Sequence, residues 1–335
     1  MKRSLAVLAA ALLAAGLIPQ FTSERYVLHL MITAGIYVIA AWGLNVLVGY
    51  TGYVSFAQAA FYGLGAYSSA YLVARSGLSF WVSLPLTLAM VGAAAAVVGY
   101  PPLSLKVKGS YFSLVTMALN LILRGLLWNL VPITGGPMGF SSIPPVTPIR
   151  LGSLVLTFSS HRAYFYLVLT AVAVVGVLCI WLVNSRVGRV LVSIREDEVL
   201  ADSLGADVTR YKVFAFSLTA MFGALAGSLL AHYGRFLGPD MFGLAESVDV
   251  LAMVIVGGSG TLVGPAIGAV LLTLLPEYLR SVAEYRNLVY SLLLILFTMT
   301  MPSGIAGLWR TLVHRIRGGP TPAPARGKGG ADSVA

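Results

Sequence analysis

The chain has 335 residues, of which 58% are hydrophobic and only 10% are charged, and its formal net charge is +10. Soluble domains carry about 25% charged residues, so this composition excludes an ordinary soluble protein and indicates a polytopic membrane protein. The single cysteine, Cys179, excludes a disulfide framework and a thiolate metal cluster. The basic balance requires no nucleic-acid partner, because membrane proteins collect Lys and Arg on their cytoplasmic side.

The N-terminus combines two basic residues with a short apolar run. Lys2 and Arg3 precede the run 5–18, which has the shape of a signal peptide. No clear small-x-small cleavage site precedes Gln20, and further apolar runs follow. We therefore favour a retained first helix over a cleaved signal peptide.

Nine further apolar runs follow along the chain, and most of them approach the roughly 20 residues that a spanning helix needs. They cover residues 27–48, 54–74, 80–100, 111–131, 163–184, 213–233, 246–257, 262–276 and 288–309. Two of the runs, 246–257 and 262–276, are too short to span alone and meet at a glycine-rich sequence, GGSGTLVGP. We predict two short helices joined by a glycine turn there. The predicted fold is all-α and polytopic, with about ten membrane segments that include short broken helices.

The distribution of basic residues supports this topology. With a cytoplasmic N-terminus, fourteen Lys and Arg fall on the cytoplasmic side and seven on the outer side, in agreement with the positive-inside rule. Treating 246–276 as one span would place the basic tail outside, so both termini are predicted to be cytoplasmic. Residues 1–317 form the predicted transmembrane domain. The tail 318–335 is rich in Gly, Pro and Ala and is predicted to be disordered.

A charged segment interrupts the apolar pattern at residues 186–212. It holds five of the chain's twelve acidic residues and lies between two apolar runs. Such a segment is either an ordinary solvated loop or a short amphipathic helix that a soluble partner grips. Its sequence alone leaves both interpretations open.

Groups that could perform chemistry are scarce. The seven longer apolar runs contain no Asp or Glu, which argues against a relay of intramembrane acids for proton or sodium coupling. The chain has no GxxxxGK[ST] phosphate-binding loop, no G-x-S-x-G sequence and only scattered histidines. We predict no catalytic residue and no metal site. A self-contained secondary transporter or a channel remains the alternative to a permease driven from outside, because a channel needs no such acids.

Polar residues within the runs are candidates for a translocation pathway. They include Asn45, Gln58, Asn120 and Arg124. Asn120 and Arg124 are four residues apart and share one helix face, which Trp128 continues. One explanation for these polar residues is hydrogen bonding between helices, with Arg124 snorkelling or stacking on Trp128. The other is that they line a polar pathway.

Paired glycines mark two positions where a helix could break. Each pair precedes a short stretch with small residues at helical spacing, which suits either close helix packing or a discontinuous helix beside a pathway. The candidate broken-helix glycines are Gly49, Gly52, Gly257, Gly258, Gly260 and Gly264.

Several longer motifs resemble one family in the same order along the chain. They are GLNVLVGYTGYVSFAQAAFYGLGAY at 43–67, KGSYFSLVTMAL at 108–119, TGGPMGF at 134–140, GRVLVSIREDEVLADSLGADVTRYKVFAF at 188–216 and MVIVGGSGTLVGPAIGAVLL at 253–272. The chain resembles the permeases of branched-chain amino acid ABC transporters, and specifically the M type of the paired permeases, over roughly residues 27–310.

The resemblance implies a coupling role for part of the charged segment. Residues 195–205 correspond to the cytoplasmic loop that inserts into a cleft of the ATPase subunit. The residues expected to couple to the ATPase are Arg195, Glu196, Asp197, Glu198, Ala201 and Gly205. The implied partners are a homologous second permease, two ATP-binding cassette subunits, a periplasmic substrate-binding protein and the lipid bilayer. The chain itself needs no cofactor, because its partners bind ATP, and its implied location is the bacterial inner membrane.

The motif TGGPMGF adds Thr134, Gly135 and Gly136 to the expected pathway, near its outer mouth. It departs from a common family pattern, TGGSDG, because Pro137 and Met138 replace a polar and an acidic side chain. Gln58 also occupies a position that often holds His. These departures keep the substrate open between branched-chain amino acids and urea, amides or other amino acids.

Overall fold

A computed structural model describes residues 2–21, 24–105, 109–151 and 154–278, together with five isolated positions between 292 and 307. These ranges are almost entirely helical. The helices are α1 Lys2–Phe21, α2 Arg25–Thr51, α3 Gln58–Ala74, α4 Phe80–Ser104, α5 Gly109–Asn129, α6 Val131–Thr134, α7 His161–Asn184, α8 Arg186–Glu196, α9 Glu198–Ser203, α10 Val208–Gly234, α11 Leu244–Gly257 and α12 Val263–Tyr278. Two 3₁₀ turns, Gly136–Met138 and Pro239–Phe242, lie between them. The short strands are β1 Phe140–Ser141, β2 Ile149–Leu151, β3 Leu154–Leu156 and β4 Phe236–Leu237.

Five helices in the described ranges are long and apolar enough to cross a membrane, namely α2, α4, α5, α7 and α10. Each coincides with a predicted apolar run, which confirms an all-α polytopic fold. The total of ten membrane segments stays a prediction. The predicted span 288–309 and the tail 318–335 lie outside the described residues, apart from the isolated positions.

Helices α2 and α10 form the centre of the bundle. Helix α10 packs against α2, α3 and α4, and small residues permit the close approach. A Cβ atom at Gly227 would overlap the backbone of Tyr62, and one at Gly65 would overlap the backbone of Ala224. The Thr219 hydroxyl donates to the Gly43 carbonyl oxygen at 2.8 Å, so hydrogen bonds between helices reinforce the contact.

Helix α3 begins later than the apolar run predicts. The run starts at residue 54, but the helix starts at Gln58 and residues 52–57 are not helical. Side chains of α5 hold this stretch: Ser113 donates to the Val54 carbonyl oxygen at 2.9 Å, and Thr116 accepts from the Phe56 amide at 3.1 Å. Non-helical backbone inside a membrane protein is tolerated where protein satisfies its polar groups.

The broken pair at 246–276 is confirmed. Helix α11 ends at Gly257, helix α12 begins at Val263, and the intervening turn uses positive φ angles at Gly258 and Gly260. The two helices pack against each other and both contact α2. The pair therefore enters the bundle and turns back within it.

The bundle has two distinct ends, which we call the strand end and the hairpin end. At the strand end β1 pairs with β4, His29 stacks on Tyr233 with ring centroids 5.5 Å apart, and the Tyr67 hydroxyl donates to the Leu237 carbonyl oxygen. At the hairpin end lie α8 and α9, connected to the C-terminal end of α2. Four of the seven basic residues predicted to be outer, namely Arg25, Arg75, Arg162 and Arg235, belong to the strand end.

Candidate functional site

The charged segment folds into two short helices, α8 and α9, which we call the coupling hairpin (residues 186–207). The Ser185 side chain caps α8 by accepting from the Gly188 amide at 3.2 Å. Asp197 caps α9 by accepting from the Val199 and Leu200 amides, both at 3.0 Å. Small polar side chains suit these positions because the first amides of a helix lack intrahelical acceptors.

The predicted end of the segment needs correction. Residues 208–212 were expected to belong to the charged loop, but they form the first turns of α10. The chain turns into α10 after Gly205, whose φ of +88° suits glycine, and Asp207 then caps α10 by accepting from the Arg210 amide at 3.1 Å. This cap starts the helix five residues before the apolar run begins.

One face of the coupling hairpin is tied to the bundle by a buried ion pair. Lys212 Nζ lies 2.5 Å from Glu198 Oε1, and the Lys212 side chain is only 1% exposed. Tyr53 completes the arrangement, since its hydroxyl donates to Glu198 Oε2 at 2.8 Å and accepts from Lys212 Nζ at 2.6 Å. A buried charge is tolerated when it is paired and hydrogen-bonded in this way.

The protonation of Tyr53 suits this role. Burial, followed by the hydrogen bond to Glu198, raises the pKa of the Tyr53 hydroxyl above its ordinary value. The hydroxyl therefore stays protonated at neutral pH and donates to the Glu198 carboxylate. The three residues fix α9 against the start of α10 and against the stretch 52–57.

A second tie runs from Arg195 to the end of α2. Arg195 Nη1 donates to the Gly49 carbonyl oxygen at 2.5 Å. That carbonyl belongs to the last turn of α2, where helical carbonyls lack intrahelical donors and a cation is favoured. Arg195 therefore caps α2 from the coupling hairpin.

The two glycine breaks meet beside this cap, in a contact that we call the glycine junction (residues 42–52 with 257–264). A Cβ atom at Gly49 would overlap the Gly260 amide, and a Cβ atom at Gly260 would lie 2.7 Å from Arg195 Nη1. Asn45 accepts from the Gly260 amide at 2.9 Å and donates to the Thr261 carbonyl oxygen at 2.8 Å. Trp42 Nε1 donates to the Leu262 carbonyl oxygen at 2.7 Å.

The candidate broken-helix glycines thus have different positions around the junction. Gly49 lies within α2, Gly52 caps α2 in the left-handed conformation, and Gly257 ends α11. Gly258 and Gly260 form the turn, and Gly264 lies in the first turn of α12. Asn45 was predicted to line a pathway, but both ends of its amide are engaged in the junction.

The coupling hairpin also carries exposed apolar side chains. Val199 is 76% exposed, Leu200 57% and Leu204 79%. Large apolar side chains at such exposure on a charged element indicate a surface that a partner covers. The motif at 188–216 includes these three residues. Only its charged and small residues were predicted to be functional, so the exposed apolar side chains were not recognised.

The six predicted coupling residues divide between the two faces. Glu196 and Asp197 are exposed, whereas Ala201 is buried with Ile194 and Val208. Arg195 and Glu198 direct their charged groups toward the bundle, and Gly205 forms the turn toward α10. A cavity of about 530 Å³ separates the hairpin from the bundle around these contacts. The hairpin is therefore attached by polar contacts and by a small apolar cluster, beside an open space.

The motif TGG forms a tight turn at the strand end. The Thr134 hydroxyl donates to the backbone of α5 and accepts from the Gly136 amide at 3.1 Å. Gly135 and Gly136 adopt positive φ angles of 76° and 56°. A Cβ atom at Gly135 would overlap the Gly139 carbonyl oxygen. These contacts shape the turn, and a role in the pathway stays a prediction.

The remaining predicted pathway residues lie between α3, α5 and α11. Gln58 is 1% exposed and donates to the Ala40 carbonyl oxygen at 3.1 Å. Asn120 is fully buried, and its amide nitrogen lies 3.4 Å from Ser247 Oγ. Arg124 pairs with Asp240 at 2.6 Å. Neither Asp240 nor the nearby Glu246 was recognised from the sequence as part of this group.

The bundle, its re-entrant pair and its charged hairpin define a polytopic membrane permease. Residues 26–298 match the family described as branched-chain amino acid transport system / permease component. The chain belongs to this family.

Two relatives carry the description "high-affinity branched-chain amino acid transport system permease protein LivM". The relative from Salmonella typhimurium is 37% identical and that from Escherichia coli 35% identical, each over 82% of this chain and 68% of the relative. A LivH permease from Escherichia coli is 25% identical over 81% of this chain and 91% of that protein. The chain is thus of the LivM type. No solved structure matches.

Proposed function

We propose that this chain is one of two membrane-spanning subunits of an ATP-driven importer of branched-chain amino acids. The observation that carries this proposal is the coupling hairpin, which presents apolar side chains outward and is tied by charged residues to the glycine junction. The substrate class follows from the family and from the LivM relatives, which are described as branched-chain amino acid permeases.

The proposed assembly contains a homologous second permease, two ATP-binding cassette subunits and a periplasmic substrate-binding protein. The LivH relatives support the pairing of two permeases, because they carry the same system description and align with most of this chain. ATP is bound by the cassette subunits, since this chain's sequence has no phosphate-binding loop. The assembly resides in the bacterial inner membrane, with the hairpin end and both termini facing the cytoplasm.

The docking surface is the apolar face of the coupling hairpin. Val199, Leu200 and Leu204 are exposed by more than half of their surface, and Val199 also lines the cavity beside the bundle. Burial of these side chains in a cleft of the ATPase would stabilise the complex by roughly 25 cal/mol per Å² of apolar surface removed from water. The acidic side chains of Glu196 and Asp202 would lie at the rim of the same interface.

Arg195 is the proposed link from the docked hairpin to the membrane helices. Its guanidinium contacts the end of α2 and the turn between α11 and α12. A displacement of the hairpin therefore acts on both glycine breaks together. The cavity beside the hairpin leaves room for such a displacement.

The two faces of the hairpin are distinguished by two variants of the complete complex. In Leu204→Asp, a charge is placed in the apolar face, and we expect the ATPase subunits to be lost on affinity purification of the permease pair. In Arg195→Ala, docking is retained because the apolar face is intact. There we expect ATP hydrolysis to continue while uptake into proteoliposomes falls at least about tenfold, a loss of coupling on the order of 1.4 kcal/mol.

Ser203→Asp and Arg189→Ala are the matched controls, because both residues are exposed positions on the same two helices. Both controls should purify with the ATPase and transport normally. Retention of the ATPase in Leu204→Asp would contradict the docking face. An equal loss of uptake and of ATPase binding in Arg195→Ala would contradict the linking role.

A further inference from the structure

Unpartnered buried polar atoms gather at one place in the bundle. Six buried side-chain N or O atoms lack a hydrogen-bond partner in the part of the chain that the structure describes, and four of them lie between α3, α5 and α11. Buried polar groups are normally hydrogen-bonded, so such a concentration requires an explanation. We call this group the polar cluster, and it comprises Gln58, Asn120, Arg124, Asp240, Glu246 and Ser247.

The deep part of the polar cluster offers acceptors. The unpartnered atoms there are Gln58 Oε1, Asn120 Oδ1 and Glu246 Oε1. Gln58 and Asn120 are 1% and 0% exposed, and their amide nitrogens are directed to Ala40 and Ser247. Ser247 Oγ in turn accepts from the Ala59 amide at 2.9 Å. The side-chain oxygens that remain call for a ligand that donates several hydrogen bonds.

Water does not fill this role between Gln58 and Glu246 in the present conformation. Both residues line a small void together with Tyr37, Tyr62 and Val250, and the void is too small for a water molecule. Any ligand must therefore enter when α11 moves away from α3. The apolar and aromatic walls of the void favour a ligand with an apolar side chain.

The shallow part of the polar cluster offers a cation. Arg124 lies one helical turn from Asn120 on α5, and its Nη2 atom is 2.6 Å from Asp240 Oδ1. The Arg124 and Asp240 side chains are 39% and 67% exposed, so the pair is accessible at the surface of the chain. A substrate carboxylate that reaches Arg124 can displace the Asp240 carboxylate from the guanidinium, because both make the same kind of charged hydrogen bond.

We propose that the polar cluster binds the zwitterionic backbone of an amino acid during its passage. Arg124 exchanges the Asp240 carboxylate for that of the substrate, and the substrate ammonium group donates to Asn120, Glu246 and Gln58. The three N–H groups of an ammonium match the three unpartnered oxygens, and the apolar side chain faces Tyr37, Tyr62 and Val250. This substrate site rests on the proposed function, and it adds which residues contact the substrate.

The test uses the complete transporter without its binding protein, reconstituted in nanodiscs, and saturation-transfer NMR to detect weak ligands. The probes are L-leucine, 3-methylbutylamine, which lacks the carboxylate, and 4-methylpentanoate, which lacks the amine. We expect leucine to bind, and each analogue to bind at least about tenfold more weakly. Arg124→Gln should abolish leucine binding.

Asp240→Asn provides the decisive variant because it should strengthen binding. Removal of the competing carboxylate is expected to lower the Kd for leucine about tenfold, a gain that structural damage would not produce. Thr87→Ala is the matched control, since Thr87 is a fully buried side chain whose hydroxyl is unpartnered outside the polar cluster. It should leave leucine binding unchanged.

Three outcomes would overturn the site: no leucine binding by the wild-type complex, equal binding of all three probes, or unchanged binding in Arg124→Gln and Asp240→Asn. In each case ATP-dependent leucine uptake by the same complex with its binding protein is measured in parallel. Intact uptake would leave the proposed function standing and remove only the site. Absent uptake would remove the proposed function itself.

Discussion

Lys212 is a buried cation near the start of a membrane helix, and it pairs with the Glu198 carboxylate of the coupling hairpin. Loss of one partner from a buried ion pair destabilises proteins by on the order of 3 kcal/mol or more, because the other charge stays buried. Glu198 is 28% exposed, so solvent reduces this cost. The pair holds α9 in position together with Tyr53 and with the packing of Ala201 against Ile194 and Val208.

We predict that Glu198→Lys detaches the coupling hairpin from the bundle. Two cations would then oppose each other beside Tyr53, which can no longer donate to a carboxylate. Uptake should fall at least about tenfold. Limited proteolysis of the permease pair should show faster cleavage within residues 197–207 than in the wild type.

Glu196→Lys is the matched control, because Glu196 is an exposed neighbour with the same charge change. It should leave the cleavage rate unchanged. Identical proteolysis of wild type and Glu198→Lys would show that the ion pair does not hold the hairpin.

The sequence identified the charged segment, but it did not show the direction in which its side chains point. Arg195 and Glu198 were chosen for their charge and for their family motif, and both were expected to face the ATPase. Asp197 adopts an extended conformation with φ −155° and ψ 108°, which separates α8 from α9. The segment is therefore not one continuous helix, and its residues do not follow one helical periodicity. For this reason the sequence could not show that Arg195 and Glu198 point toward the bundle.

At the scale of elements, the long helices followed directly from the apolar runs. The bounds of α4, α5 and α7 lie within a few residues of the predicted runs, because a bilayer-spanning helix requires a continuous apolar stretch. The stretch 54–57 was assigned to a helix because it is apolar. Its non-helical conformation is held by Ser113 and Thr116 of α5, and such tertiary contacts leave no local signal in the sequence.

The glycine junction is a second case in which tertiary contacts could not be predicted from the sequence. Each glycine break was predicted from its own sequence, but Asn45 bonds to Thr261 across a sequence separation of 216. Sequence periodicity carries no information about such a pairing. The second site separates α11 from α12, whereas Gly49 lies within α2 and Gly52 caps its end. The contact between the two sites was found only in the structure.

We predict that Gly49→Ala separates the two breaks. A Cβ atom at this position overlaps Asn45 and the Gly260 backbone, so α2 or the α11–α12 turn must shift. The midpoint temperature of thermal unfolding should fall by several degrees, since an overpacked core costs about 1–3 kcal/mol. Uptake should fall in parallel.

Gly125→Ala is the control, because a Cβ atom at Gly125 in α5 meets nothing within 4 Å in the described structure. Alanine is also the better helix former, so the unfolding temperature should stay the same or rise. Equal unfolding temperatures for Gly49→Ala and the wild type would contradict the close contact at the junction.

At the scale of the whole molecule, helix α11 joins the two proposed sites. Its first turns carry Glu246 and Ser247 of the polar cluster, and its last residue, Gly257, belongs to the glycine junction. Arg195 connects that junction to the coupling hairpin. Helix α11 is packed against α2 and α12. We therefore expect movement of the hairpin to be linked to opening of the polar cluster through this short helix.

The central claim is that external ATPases drive transport through this chain. The most direct measurement is leucine uptake into proteoliposomes that contain the permease pair, the two ATPase subunits and the binding protein, with ATP supplied on the side of the coupling hairpin. We predict accumulation that requires ATP, the binding protein and the ATPase subunits together. Uptake that persists without the ATPase subunits, or that only equilibrates leucine, would indicate a secondary transporter or a channel and would contradict the account.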